Sequence, residues 1–300
     1  MIKKNSSVIA IVLSFSLLLI SCKENEELAP PSISIIFNME NNSGKISLPD
    51  KVNLVANDVQ NNAIIEAEIL VDQKGTGNIG GLATGNVWHV EFWAFDFDTN
   101  LSFDRNKGFR LKKQGIFLPE SPIFFAGVAD FSYQIGKSTY WILKPQTRCL
   151  TFRLITNNPE DTKSLSQGVD GVFSGVVSGR VFGPKQIEVS EENLGYIPLK
   201  FTPSVDTPYT FNTSYRLLGV SQEQKCEIQL DFFSDNFPNL KIDLTDKLKN
   251  FNDFSSDGVI CDIHITRPSP PIGIEIEIEI KIEETNVVQW GDNGKYEHII

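Results

Sequence analysis

The chain is short of the residues that build reactive centres. Its 300 residues include 3 His, 4 Cys and 2 Met, little material for a metal cage or an activated nucleophile. It is also short of positive charge: 27 Lys and Arg face 38 Asp and Glu, giving a net charge of −11 and a pI near 4.8. So acidic a surface repels phosphate backbones and argues against nucleic-acid binding. No segment sustains 3.6-residue hydrophobic periodicity beyond about two turns, which argues against a helix-rich enzyme fold. No apolar run reaches the roughly 20 residues of a transmembrane helix. What is present is 41% hydrophobic residues with 21 Phe and 21 Gly, a foldable composition suited to strands and turns. The length gives room for two ordinary domains.

The first residues read as an address. Lys3 and Lys4 precede a thirteen-residue apolar run, Val8–Ile20, which fits a signal-peptide core. Leu19-Ile20-Ser21-Cys22 follows and resembles a bacterial lipobox, with cleavage before Cys22 and lipid on its sulfur; the alternative is an ordinary secretory signal with an incidental Cys. This makes 1–21 a lipoprotein signal peptide and 22–32 a lipidated acidic tether, since Lys23-Glu24-Asn25-Glu26-Glu27 comes directly behind the anchor. Such acidic residues resemble the surface-export signal of Bacteroidetes lipoproteins. Removing residues 1–21 deletes both lysines and takes the charge from −11 to −13, so acyl chains rather than headgroup attraction would hold the body to an outer membrane.

Beyond Leu28–Pro31, nearly every apolar segment carries a strand signature: Ile64–Val71, Val87–Phe97, Ile123–Val128, Cys149–Thr156, Val172–Phe182, Tyr209–Val220, Cys226–Phe233, Val259–Thr266 and Ile272–Glu283. Gly, Pro, Asn and Asp clusters separate them, as in antiparallel sandwiches. Val87–Phe97 is apolar on both faces, with Trp93, Phe95 and Phe97 on one and Trp88, Val90 and Phe92 on the other, and so predicts a central strand covered on both sides. Ile274, Ile276, Ile278, Ile280 and Ile282 alternate with Glu275, Glu277, Glu279, Lys281 and Glu283, predicting one buried face and a charged face that resists edge-to-edge aggregation. Short helices are expected at Pro159–Gln167 and at Thr245–Asn250, the latter capped by Thr245. A boundary near Lys144–Thr147 divides the body into β-domains at 33–145 and 146–300.

Excluding Cys22, three cysteines remain, Cys149, Cys226 and Cys261, which allows at most one intramolecular disulfide. Strand parity points Cys226 and Cys261 into the second domain's core and Cys149 away from it. If a bridge forms, Cys226–Cys261 is the pair; buried free thiols are the alternative, and the favoured one.

The chemistry-bearing motifs fail on inspection. Gly75, Gly77 and Gly80 have GxGxxG spacing but run into a further loop and a strand, not a helix, so Lys74–Gly81 reads as a hairpin loop. Asp96, Asp98 and Asn100 open like a calcium loop, yet Leu101 stands where glycine is needed and Lys107 where a bidentate Glu is needed. A looser cation site from Asp96, Asp98 and Asp104 is the residual possibility, solvated carboxylates the plain reading. Gly175–Gly179 places Ser178 fourth of five rather than third, so it is no nucleophile elbow. His89, His264 and His298 are scattered, with His264 expected on an outward face beside Asp262 and Thr266. Trp88, Trp93 and Trp141 lie in strand-like apolar runs and are expected in the core rather than in a sugar-stacking platform. No catalytic residue, metal site or cofactor is implied.

Four segments in order resemble the C-terminal domain of the Bacteroidetes fimbrillin superfamily, the type V pilus stalk subunits with their anchor and accessory proteins. They are Cys149–Ile155 (CLTFRLI), Gly171–Phe182 (GVFSGVVSGRVF), Leu240–Leu248 (LKIDLTDKL) and Ile272–Trp290. The resemblance implies an all-β fold of two tandem antiparallel Greek-key, transthyretin-like sandwiches, delivered to the outer membrane as a lipoprotein. It also implies partnership with pilus subunits by β-strand addition. Stalk subunits are cleaved after an arginine near the first strand; here no Arg occurs between Cys22 and Phe103, Arg105 being the first, and ten residues follow Trp290. Both departures favour an uncleaved anchor or accessory subunit, or a free-standing surface lipoprotein. The alternative is a glycan-binding surface lipoprotein of a nutrient-uptake system, using exposed aromatics.

Overall fold

Alternation of large apolar with polar residues carries the chain into strands from the first residues that can be placed. The computed structural model describes residues 32–39, 49–95, 100–134, 136–166, 168–234, 237–253, 258–266 and 275–283. The signal peptide, Cys22, the tether as far as residue 31, Asp96, Phe97, Asp98, Trp290 and His298 lie outside the described residues. Up to Pro145 the strands are β1 (Ser32–Met39), β2 (Lys51–Asp58), β3 (Ile64–Leu70), β4 (Thr76–Gly80), β5 (Val87–Phe95), β6 (Leu101–Asp104), β7 (Gly108–Leu111), β8 (Phe124–Ser132) and β9 (Thr139–Pro145). After it come β10 (Arg148–Thr156), helix α1 (Pro159–Leu165), β11 (Val169–Val177), β12 (Gly179–Phe182), β13 (Ile187–Val189), β14 (Leu194–Lys200) and β15 (Thr202–Pro203). The last are β16 (Thr210–Leu217), β17 (Glu227–Phe232), β18 (Leu240–Asp243), β19 (Gly258–Thr266) and β20 (Glu275–Glu283).

The fold is all-β. A seven-stranded sheet in the order β3-β2-β5-β8-β9-β1-β4 holds the first half. β8 and β9 meet only at Phe125↔Pro145 and Ala126↔Lys144, so the sheet folds over along that line into two leaves. Phe92 of β5 stacks on Trp141 of β9 with centroids 5.0 Å apart, and Phe37 of β1 closes the cluster. Burying each of these rings stabilises the sandwich by about 1.5–3 kcal/mol. In the second half a five-stranded sheet, β15-β16-β10-β19-β20, faces a four-stranded one, β14-β11-β17-β18. Phe152 and Phe173 meet edge-on between them at 5.2 Å. Among the described strands pairing is antiparallel except for β1 with β9 and β10 with β19, which run parallel. Each parallel pair is joined by long stretches of intervening chain, as parallel pairing requires.

β5 is covered on both faces, as its large apolar residues on either side predict. Trp88, Val90 and Phe92 enter the first core, while Trp93 belongs to a second core that continues into the other half. The cover over Trp93 is a small sheet, β13-β12-β7-β6, built from both halves of the chain. Phe103, Phe109 and Phe182 of that sheet pack on the Trp93 ring with centroids 4.2, 5.7 and 5.9 Å away. The chain crosses between the large sheets at Gln146-Thr147, both buried. There the Gln146 amide donates to the carbonyls of Ala126 and Lys144 and accepts from Arg180 Nη1 at 3.0 Å. This crossing is a packed seam, not an exposed linker, because β7 and β12 pair across it.

Local expectations meet mixed outcomes. Asn158 caps α1, accepting from Asp161 N–H at 2.8 Å, with Pro159 in the first turn. Thr245–Asn250 is a run of turns, not a helix: Thr245 Oγ1 accepts from the Cys226 N–H and donates to Asp243, so the side chain expected to cap a helix ties β17 to β18. Thr76–Gly80 is a strand, β4, rather than a loop, because Ser32–Ile36 of β1 pairs with it throughout. A Cβ at Gly77 would stand 2.3 Å from Ile69 Cγ2, so glycine there permits close packing against β3.

Candidate functional site

Three features of the surface bear on recognition: the seat of β1, the buried carboxylate beside the last strand, and a cleft under the β6–β7 hairpin.

β1 lies inside the seven-stranded sheet with β9 on one side and β4 on the other. Ile35 is 0% and Phe37 1% exposed. Outward, Ile36 is half-buried and stands in register with Tyr140, which is exposed with Ile142 on β9. Strand parity explains the seat, since Ile35 and Phe37 share one face. Withdrawing β1 would unpair two neighbours and uncover the Phe92 and Trp141 rings on which Phe37 packs.

Asp262 of β19 is the second feature. Parity assigned it to an outward face with His264, yet its side chain is 0% exposed. Flanking strands cover it: Arg153 of β10 donates to both carboxylate oxygens at 2.5 and 2.7 Å, and Lys281 of β20 donates at 2.8 Å. Burial works to raise the Asp262 pKa, but the hydrogen bonds and charges of Arg153 and Lys281 outweigh it and hold the carboxyl below the usual carboxylate range. His264 and Glu279 bring ligand-type atoms within 4.8 Å of Asp262 and of each other. Both Asp262 oxygens are already engaged by cations, so the arrangement is an ion-pair clamp of β20 onto β19 rather than a metal cage.

The third feature is a cleft of about 490 Å³ between one face of β3-β2-β5 and the hairpin β6–β7. Cross-strand register places Glu66 beside Val55, and Glu68 beside Asn53, which in turn neighbours Trp93. Phe103 and Arg105 come over from the hairpin. Arg105 Nη2 donates to Asn57 Oδ1 at 2.9 Å, and Nη1 lies 3.5 Å from Glu66, so the arginine closes one end. On the same face Glu91 is half-buried; burial pushes its pKa up, with His89 and Arg105 opposing.

Cys149, Cys226 and Cys261 are all free and buried, so the Cys226–Cys261 bridge does not form in this structure. Cys226 Sγ points instead to the carbonyls of Ser221 and Gly175, and burial pushes its thiol pKa up to about 11 and that of Cys261 up to about 12. Cys149, assigned outward, is also buried. Ser178 is 2% exposed and donates to the Asn193 carbonyl. Gly175 stands at φ +77 where the β11–β14 register shifts, the backbone device of a bulge rather than of an elbow. Asp104 accepts from the N–H groups of Asn106 and Lys107 and so shapes the hairpin turn. Trp88, Trp93 and Trp141 are buried, which removes the exposed-tryptophan platform among the described residues. A cross-strand pair that sequence reasoning missed joins His89 to Asp130 at 2.6 Å; its only signal is the β5–β8 register.

No family model matches the chain, and no curated protein matches it by sequence. Solved structures do match in fold. The fimbrial anchor protein Mfa2 from Porphyromonas gingivalis superposes with a TM-score of 0.60 at 10% identity, covering 85% of this chain and 98% of that one. A candidate adhesin from Bacteroides thetaiotaomicron gives 0.56 at 11% identity, covering 83% and 97%. A candidate polysaccharide-binding protein (DUF1812) from the same species gives 0.55 at 11% identity, covering 85% and 98%. The whole described body thus shares the fold of a fimbrial anchor and of adhesin-type proteins of Bacteroidetes.

Proposed function

We propose that this chain is a surface lipoprotein of the fimbrillin type, acting as an anchor or accessory subunit in pilus assembly or adhesion, with no catalytic role. Lipid on Cys22 would tether it to the outer membrane, and the acidic residues behind would send it to the outer face. On this reading 33–145 and 146–300 are its two β-domains, fastened by the β7–β12 pairing. Fold likeness to a fimbrial anchor supports the reading. The observation that carries it is the seat of β1. A subunit that surrenders its first strand needs that strand removable, whereas here Ile35 and Phe37 are fully buried between two partner strands. Pilus subunits would add strands at remaining sheet edges. The test is Cys22→Ala in cells. The anchor reading expects the variant to leave the membrane fraction and filaments to be shed into the medium; filaments retained at wild-type level would refute it.

A second reading, a glycan-binding lipoprotein, is favoured by the cleft under the β6–β7 hairpin and by likeness to a candidate polysaccharide-binding protein. Retardation of the purified protein in polysaccharide gels tests it, and free migration across a broad panel would reject it.

A further inference from the structure

We infer that the end of the first sheet where β1 begins is a membrane-contact face, resting on the lipid surface beneath the anchor. This rests on the reading of Cys22 as lipidated and adds to that tether a second contact, made by the folded body.

Register gathers several loops at this end. β1 starts there at Ser32, paired with Gly80 at the close of β4, and Ile35 stands opposite Thr139 at the start of β9. Val87 opens β5 opposite Ser132, which ends β8, and Asp58 ends β2 opposite Trp88. The β2–β3 turn, the β4–β5 loop and the β8–β9 loop therefore close one surface. Hydrogen bonds tie it together: Val59 N–H donates to the Val87 carbonyl at 3.0 Å, and Gly85 N–H to that of Tyr133 at 3.1 Å.

The chemistry of this surface departs from that of the rest of the acidic chain. Among the described residues of 59–64, 81–87 and 132–138, Lys137 is the one charged side chain. Val59, Ile64 and Val87 are 61%, 50% and 39% exposed, beside exposed Gln60, Asn61, Asn62 and Thr84. Asp58, directly behind, is buried and accepts from the Gln60 and Asn61 N–H groups and from the Asn61 and Asn86 amides, so its charge is turned inward. Asp130 and Glu66 stand further along β8 and β3, engaged by His89 at 2.6 Å and by Arg105 at 3.5 Å. The opposite end of the same sheet carries Asp50, Lys51, Asp72 and Lys74.

Tether length and charge select a bilayer as the occupant. Ten residues, Cys22–Pro31, precede β1, and fully extended they reach at most about 35 Å. The end where β1 begins is therefore the one delivered to the membrane, and tethering makes even a weak contact effective. Anionic headgroups repel acidic side chains. Apart from Glu24, Glu26 and Glu27 of the tether, acid is withheld from this side. Short aliphatic side chains among amides and hydroxyls suit the headgroup–acyl boundary, where apolar contact supplies the attraction.

The acylated mature chain, reconstituted into phosphatidylethanolamine–phosphatidylcholine vesicles, tests the face. Gln60→Cys, Thr84→Cys and, at the opposite end, Gln73→Cys offer exposed sites for a maleimide NBD label, the described native thiols being buried. Labels at 60 and 84 should emit blue-shifted light and be quenched by headgroup spin labels, and the label at 73 should do neither. Adding Val59→Asp together with Ile64→Asp should abolish both effects at 60, with vesicle flotation and thermal unfolding unchanged. Persistence of both effects in that variant would overturn the aliphatic contact. Water-like emission at all three sites in an acylated, floating chain would overturn the face yet leave the lipoprotein reading standing. A blue shift without spin-label quenching would mean that protein, not lipid, covers this end, and would overturn the inference. A mature chain that carries no lipid on Cys22 and does not float would reject inference and reading together.

Discussion

Phe37 on β1 and Trp141 on β9 stand side by side in a parallel register, their rings meeting at 76° with centroids 5.9 Å apart. The contact joins the first described strand to the last strand of its sheet, and Phe92 of the facing leaf completes it. Sequence-distant strands are thereby closed into one sandwich, and β1 becomes part of the core instead of a cover laid over it.

Phe37→Ala tests that closure. Truncating a fully buried ring costs about 3–5 kcal/mol, so the urea midpoint should fall sharply with an unchanged slope. A loss under about 1 kcal/mol would mean β1 contributes little and is a displaceable strand.

The clamp on β20 makes a pH prediction. Asp262 has its pKa depressed in the folded state, so its contribution is present above the unfolded value of about 4 and is lost as pH falls through the folded value. Asp262→Asn should lower stability at pH 7 by about 2–3 kcal/mol, short of the roughly 3–5 for a fully buried pair because Arg153 and Lys281 are partly solvated. The variant's stability should also fall less steeply than the wild type's below pH 4. An acid limb of identical slope in both would contradict the assignment.

Gly108 shows how tightly the two halves are joined. It stands at φ +71, and a Cβ there would lie 2.1 Å from the Arg180 carbonyl oxygen on β12. Gly115, at φ +66, has nothing within 4 Å. Gly115→Ala should therefore cost only the conformational strain of about 1–2 kcal/mol, and Gly108→Ala about 2–4 kcal/mol as backbone is forced apart. Equal losses by thermal unfolding would show that β7 and β12 are not in close contact.

The thiols supply a further check. With burial raising Cys226 to about 11 and Cys261 to about 12, iodoacetamide at pH 8 should label the native protein very slowly. In denaturant without reductant, all of Cys149, Cys226 and Cys261 should react. Reaction of one thiol alone under those conditions would reveal a disulfide.

Much of this was legible in the residues. The apolar residues on both faces of Val87–Phe97 announced a strand covered on both sides, and the Pro159–Gln167 segment announced α1. The regular Ile–Glu alternation announced β20, with Glu277 and Glu279 exposed and Ile278 packed on the core, although Ile276 of the expected buried face is exposed. What escaped was set by distant partners. Alternation placed Asp262 in water because nothing local says that Arg153 and Lys281 will fold over it. Gly108 and Gly179 look like ordinary turn residues, yet they let β7 and β12 of opposite halves approach. Glu66 and Glu68 read as a solvated strand face; only the return of the hairpin bearing Phe103 and Arg105 turns that face into a cleft. Thr245 carried a capping signal that β17 used for its own N–H.

An anchor keeps its first strand in the working protein, and a stalk subunit does not. Peptide mapping by mass spectrometry of the chain released from intact cell surfaces decides between them. An uncleaved anchor starts at acylated Cys22 and retains peptides spanning residues 23–104. A mature protein beginning after Arg105, and therefore lacking β1 through β6, would contradict it.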